Sequence, residues 1–198
     1  MPRSQAVLHS VSPSPVVSDN FNRGNDASNM GSAQTGQAWS VISGTWGILG
    51  NTGYKSATDL LDEIVVIESG VARCTITIAK CTFAIASRNA GLVWRHNGLT
   101  GLSANWYQAK WNGTTNTFTI ERWDSGILGA TLVSVGAISA PVDNVFILIV
   151  GNTYSVYQDG VFLATVTDAT YPTNTKHGFM SGLSNGPLID NYKVTPLE

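Results

Sequence analysis

The side chains with the most chemical potential here are aromatic and planar polar groups crowded into one stretch. Trp94, Arg95, Asn105, Trp106, Tyr107, Trp111, Arg122 and Trp123 all fall between positions 94 and 123. Sugar rings present apolar C–H faces that stack on flat aromatic rings, while their hydroxyls need planar polar partners. In an extended strand alternate residues share a face. Asn105, Tyr107 and Trp111 therefore share one face, and Trp106, Gln108 and Lys110 share the other. The first face, with Arg95 and Trp123 beside it, is a candidate glycan platform. The competing explanation is core packing, because large aromatics fill the interior of any sandwich. Trp39, Trp46, Trp94 and Trp106 are expected inside. Trp111 and Trp123 sit at strand ends, where core and surface are both open.

Other chemistries find less support. Glycoside hydrolysis needs two carboxyl groups about 5–10 Å apart, which on one strand means acids at i and i+2 or i+4. Asp62 and Glu63 are adjacent, and Glu121 and Asp124 have odd spacing across a turn. These acids read as surface groups, and no catalytic residue is assigned. There is no Gly-x-Ser-x-Gly nucleophile motif, and no glycine-rich phosphate loop opening a helix. The three histidines and two cysteines show no zinc-ligand spacing. On one continuous strand Cys74 and Cys81 would lie roughly 23 Å apart at about 3.3 Å per residue, far beyond the reach of a disulfide. Two structural thiols are expected, with a bridge open only if the chain turns at Ala79-Lys80.

The elements that must position these groups are strands. From Asp19 onward, runs rich in Val, Ile, Thr and aromatics alternate with Gly, Asn, Asp and Ser turns. Asp19–Arg23 reads as a first strand; Trp39–Ile42 and Trp46–Leu49 follow around the turn Ser43-Gly44. In Val71–Ile78, Cys74, Ile76 and Ile78 share a face, but the apolar parity then switches to Cys81, Phe83 and Ile85. A bend or bulge is predicted at Ala79-Lys80. Gly91–His96, Leu102–Trp111 and Thr117–Trp123 read as a meander, with hairpin turns at Asn97-Gly98 and Asn112-Gly113. Asn144–Val150 is apolar on both parities and reads as a central strand, buried on both sides or at a sandwich core. The best helical candidate, Thr58–Glu63, is about one and a half turns. The fold class is all-β, a two-sheet antiparallel sandwich over residues 19–198. Residues 1–18, with Ser-Pro-Ser-Pro, form an extended arm, in which Val7, Leu8, Pro13, Pro15 and Val16 are the candidate assembly contacts.

Several local patterns, taken in order, resemble the concanavalin A-like, or laminin G-like, jelly roll. They are Asp19-Asn20-Phe21-Asn22-Arg23, Gly36-Gln37-Ala38-Trp39, Gly44-Thr45-Trp46-Gly47-Ile48, Ala90 to Arg95, Asn105-Trp106-Tyr107, Tyr154 to Gly160 and Ile189 to Val194. The resemblance implies a jelly roll whose first and last strands are neighbours. It also implies lectins, carbohydrate-binding modules, virion parts and some glycosidases as relatives. The Trp39 to Trp46 segment looks especially like modules of bacteriophage tail and other virion proteins. The glycosidases of this type carry Glu-x-Asp-x-x-Glu on one strand, which is absent here. Many such jelly rolls hold a structural calcium, for which Asp19, Asp26 and Asp190 would be the oxygen donors; no other cofactor is implied.

The totals bound the partners. The net charge is −2 and only 12% of residues are charged, about half the usual share. That argues against nucleic acid, which attracts a basic field, and no apolar run is long enough to insert in a membrane. The N-terminus lacks the apolar stretch of a signal peptide. Together with the arm, these features lead to the expectation of a non-enzymatic virion structural protein, such as a phage minor tail, fibre-associated or decoration protein. Its partners would be other virion proteins or copies of itself, and host surface glycans. The alternative is a carbohydrate-binding, lectin-like module in an extracellular setting, and a glycoside hydrolase comes last.

Overall fold

A computed structural model describes residues 13–56, 62–82, 89–136, 138, 144–182 and 188–198. The β-branched and aromatic runs form strands: β1 Val17–Asp19, β2 Trp39–Val41, β3 Trp46–Leu49, β4 Thr52–Lys55, β5 Glu63–Glu68, β6 Cys74–Thr82, β7 Asn89–His96, β8 Trp106–Asn112, β9 Thr117–Asp124, β10 Ile127–Val135, β11 Val145–Val150, β12 Thr153–Gln158, β13 Val161–Thr167, β14 Lys176–Ser181 and β15 Leu188–Pro196. Among the described residues the only helix is one 3-10 turn, Gly101–Ser103, and no helix is long and apolar enough to cross a membrane. Most of the helical candidate at positions 58–63 lies outside the described residues.

The strands form two antiparallel sheets. One has eight strands, in the order β13-β12-β11-β6-β15-β4-β3 with β1 also on β15; the other has seven, β10-β9-β8-β7-β14-β5-β2. Their inner faces enclose the core. At one end Trp39 packs 5.2 Å from both Phe179 and Tyr192, and Trp46 5.3 Å from Phe179. At the other, Trp94 packs on Tyr107 and Tyr154 at 5.9 and 5.4 Å.

The first and last strands do pair, Val17 opposite Val194 and Asp19 opposite Tyr192. The first strand lies earlier than Asp19–Arg23, because Phe21 takes a positive φ of 51° and its N–H is captured by the Asp19 carboxylate at 2.9 Å. Val17 and Ser18 thus belong to the sandwich, not to the arm. Val16 also docks on its own domain: it packs against the core, and its N–H donates to the Val194 carbonyl at 2.9 Å. Pro13 and Pro15 are half-buried, while Val7 and Leu8 lie outside the described residues.

Further details emerge from the topology. The strands on either side of Ser43-Gly44, β2 and β3, belong to opposite sheets. Ser43 ends the β2–β5 ladder by bonding both the carbonyl and the N–H of Ile64, and the chain crosses over. Leu102 is in no strand. Asn97 accepts from the Leu99 and Asn105 N–H groups and donates to the Ser103 carbonyl, which closes a longer loop and leaves Leu102 78% exposed. Of the two readings of β11, the structure has the strand at the sandwich core: Val145, Ile147 and Ile149 point inward, and Phe146 and Leu148 are half-buried outside.

The parity switch in β6 is present. Ile78 and Cys81 are both buried, and β15 switches at the same level, between Ile189 and Tyr192. Asn191 at φ 54° absorbs the change on that strand. Cys74 and Cys81 are buried and form no disulfide, and burial pushes the Cys74 thiol up to about 12.

Candidate functional site

The meander β7-β8-β9 has aromatic residues on both faces, and the two faces are built differently. Tyr107, Ala109 and Trp111 point into the core, as do Phe118 and Ile120 opposite them. Tyr107 donates to Asp168 Oδ1 at 2.6 Å, and Trp111 Nε1 donates to Gln158 Oε1 at 2.8 Å. Arg95 is buried as well. By alternation it should face outward beside Val93, but its φ of 51° forms a bulge that turns it in. There its guanidinium donates to Tyr154 Oη at 2.8 Å and to the carbonyls of Ala72 and Gly151, clamping the end of the sandwich. Asn105 is half-buried and accepts from the Ser125 N–H at 2.7 Å and the Tyr171 hydroxyl at 3.2 Å. Of the five platform candidates, Arg95, Tyr107 and Trp111 are therefore core residues, Asn105 braces two loops, and only Trp123 reaches the outer face.

That outer face holds a separate cluster. Trp106 and Trp123 pair across β8 and β9 and stack at 5.0 Å with planes 11° apart. His96 stacks on Trp106 at 5.5 Å, so three rings form a wall across three strands. Both indole N–H groups are anchored: Trp106 to Gln108 Oε1 at 3.0 Å, Trp123 to Glu121 Oε2 at 3.1 Å. Glu121 also accepts from Gln108 at 2.8 Å and Thr119 at 2.9 Å, and it pairs with Lys110 at 2.9 Å. Burial alone would raise its pKa, but Lys110 and the hydroxyl and indole donors outweigh it and hold the carboxyl below the ordinary value. Burial, reinforced by the Lys176 charge, pushes His96 down to about 4, so its ring is neutral at pH 7.

Next to this wall lies a cleft of about 160 Å³, with Trp106, Gln108 and Trp123 at one end and Ile42, Ser43 and Asp62 at the other, lined also by Ile64, Met180, Gly101, Ala104 and Gly126. Val66 and Val93 pack with Ile64 and Met180 and are fully buried. The two central strands carry glycine on this face: a Cβ at Gly91 would run into the Ala109 carbonyl and one at Gly178 into the Val65 carbonyl. Alternation correctly grouped Trp106 with Gln108 and Lys110, but not which face turns outward. Gln108 and Lys110, polar at alternate positions opposite Tyr-x-Ala-x-Trp, were the signal for that.

The calcium set is not assembled. Asp19 is fully buried and engaged by Arg23 at 2.8 Å through both oxygens and by Trp39 Nε1 at 2.7 Å. A carboxylate already neutralised by a guanidinium is a poor calcium ligand. Asp26 holds its own loop through Ser28, and Asp190 holds Asn191. No group of three metal-binding side chains occurs among the described residues.

The fold matches a known architecture. The carbohydrate recognition domain of Emp47p superposes with a TM-score of 0.62 at 9% identity, covering 95% of this chain and 98% of that one. A prokaryotic β-1,3-1,4-glucanase (lichenase) from a mouse hindgut metagenome gives 0.60 at 10% identity, covering 91% and 98%. The carbohydrate-binding module CBM66 from Bacillus subtilis gives 0.59 at 13% identity, covering 80% and 91%. This chain has the concanavalin A-like jelly-roll fold. No protein-family model and no curated protein matches its sequence, and the likeness to these structures is one of fold. Within that jelly roll the wall and cleft lie on the outer face of the seven-stranded sheet.

Proposed function

We propose that this chain is a non-catalytic carbohydrate-binding module, whose ligand sits in the cleft against Trp106 and Trp123. The observation that carries this reading is the anchored indole wall. Gln108 and Glu121 fix the indole edges before any ligand arrives, so little side-chain freedom is lost on binding. Two neighbours in fold are named as carbohydrate-binding domains, which supports the same reading. A non-catalytic role is supported by the spacing of acids. Asp62 is held by Asn89 on β7. Glu121 lies two strands across and four residues along from Asn89, roughly 16 Å at the backbone, and its carboxylate is engaged by Gln108, Thr119, Trp123 and Lys110.

Isothermal titration against a panel of mono- and disaccharides tests the proposal. Trp123→Ala should weaken binding at least about tenfold while the protein stays folded. Unchanged affinity in that variant would place the ligand elsewhere.

The second reading is the virion structural role. It is favoured by β13, an open edge strand with no charged residue, on which Val161 and Phe162 are 64% and 52% exposed. Such an edge invites a neighbouring chain. With Val16 docked on its own domain, an arm contact to other virion proteins would have to lie nearer the N-terminus.

A further inference from the structure

The two ends of the cleft differ in chemistry. At the wall end, Gln108 is 1% exposed; its Nε2 donates to Glu121, and its second N–H is uncommitted. At the far end Ile42, Ile64 and Met180 make an apolar recess flanked by two polar groups of opposite sense. Ser43 Oγ accepts from the Ile64 N–H at 3.0 Å, so its own proton is free to donate. The Asp62 carboxylate meets Asn89 Nδ2 at 3.0 and 3.1 Å and keeps further lone pairs to accept with.

We infer that the sugar this cleft takes carries an acetamido group, an inference that rests on the carbohydrate-binding reading above. An acetamido group offers one N–H, one carbonyl oxygen and one methyl. Those three needs correspond to Asp62 as acceptor, Ser43 as donor and the Ile64–Met180 recess as apolar cover. A plain hydroxyl in the same place could meet Asp62 and Ser43 but would leave the Ile42–Ile64–Met180 recess unfilled, forgoing the apolar burial that a methyl supplies. The sugar ring itself lies towards the indole wall, where the spare Gln108 N–H meets a ring hydroxyl. The cleft volume of about 160 Å³ is below the roughly 300 Å³ at which drug-sized pockets begin. It therefore suits a single sugar residue or a chain end over a length of polysaccharide.

The test is calorimetric titration of the full chain with the methyl β-glycosides of N-acetylglucosamine, N-acetylgalactosamine, glucose and glucosamine. At least one acetamido sugar should bind about tenfold or more tighter than glucose and glucosamine. Asp62→Ala, at an exposed position, should bring that preference close to equality with the thermal melt unchanged. Equal binding of glucose overturns the acetamido inference and leaves the carbohydrate reading standing. Tightest binding of glucosamine also overturns it, because Asp62 would then be reading an amine. Binding of none of the four, nor of any sugar in the wider panel, removes the carbohydrate reading and this inference with it.

Discussion

The inner and outer faces of the β7–β9 meander carry much the same residue types and do different work. Inside, Trp94, Tyr107 and Trp111 are buried between two sheets, and the polar atoms of Tyr107 and Trp111 hold distant segments: Tyr107 reaches Asp168, and Trp111 reaches Gln158. Outside, Trp106 and Trp123 have the meander beneath them, and their N–H groups are tied within β8 and β9 to Gln108 and Glu121. A ring whose polar handle reaches across the core reports on stability. A ring tied to its own strand neighbours, with a cleft beside it, reports on recognition. Aromatic content alone does not separate the two; the hydrogen-bond partner does.

The comparison is broken most directly at Arg95. Removing its guanidinium leaves the Ala72 and Gly151 carbonyls and Tyr154 without their donor, and it opens a cavity. Arg95→Ala should cost about 3 kcal/mol or more, read as a lower urea midpoint. Sugar affinity of the folded fraction should be unchanged. A binding loss with little loss of stability would show that the inner face takes part in recognition.

Singly, a comparable or smaller effect comes from each of the two buried histidines, one on each face of the seven-stranded sheet. Burial, aided by a nearby cation, pushes both His96 and His177 down to about 4. The unfolded chain protonates near 6.5, so between about 6.5 and 4 it binds protons that the folded chain does not. Stability is therefore whole above pH 6.5 and falls as the pH drops towards 4, by roughly 3 kcal/mol or less for each ring. Asp168 adds a second loss. Burial opposes its ionisation, but bonds from Thr170, Tyr107 and Arg122 outweigh that and hold it at about 2. Its contribution is present above about pH 4 and disappears as the pH falls through 2. Melting temperature against pH should show both phases, and His96→Phe should shrink the first while keeping the ring stack.

The smallest effect is expected on the opposite side of the molecule. Thr165 faces outward from β13, with its hydroxyl 3.0 Å from Ser155 Oγ. Thr165→Ala should change stability by less than about 0.5 kcal/mol and leave sugar binding untouched. A loss of binding there would move the site to the eight-stranded sheet.

Much of the architecture could be read from the residues in order. Period-two runs located the meander, the β11–β13 region and the closing strand, because alternation is a local property of an extended chain. The parity break after Ile78 was legible for the same reason. The errors sit where a single backbone torsion or a side-chain bond overrides the pattern. Phe21 at φ 51° ends the first strand early, Ser43 sends β2 and β3 to opposite sheets, and the bulge at Arg95 reverses one side chain. Sterically uncommon torsions such as these are held in place by contacts distant in sequence.

The sequence by itself determined the all-β class, the strand segments and the grouping of Trp106, Gln108 and Lys110 on one side of a strand. Only the tertiary structure decided which side faces the core. A period of two fixes which residues share a face, but the sense of that face depends on where the second sheet lies, and residues far away in the chain bring that sheet into place. The same packing set Trp123 beside Trp106 and brought Ile42, Ser43 and Asp62 to the other end of one cleft.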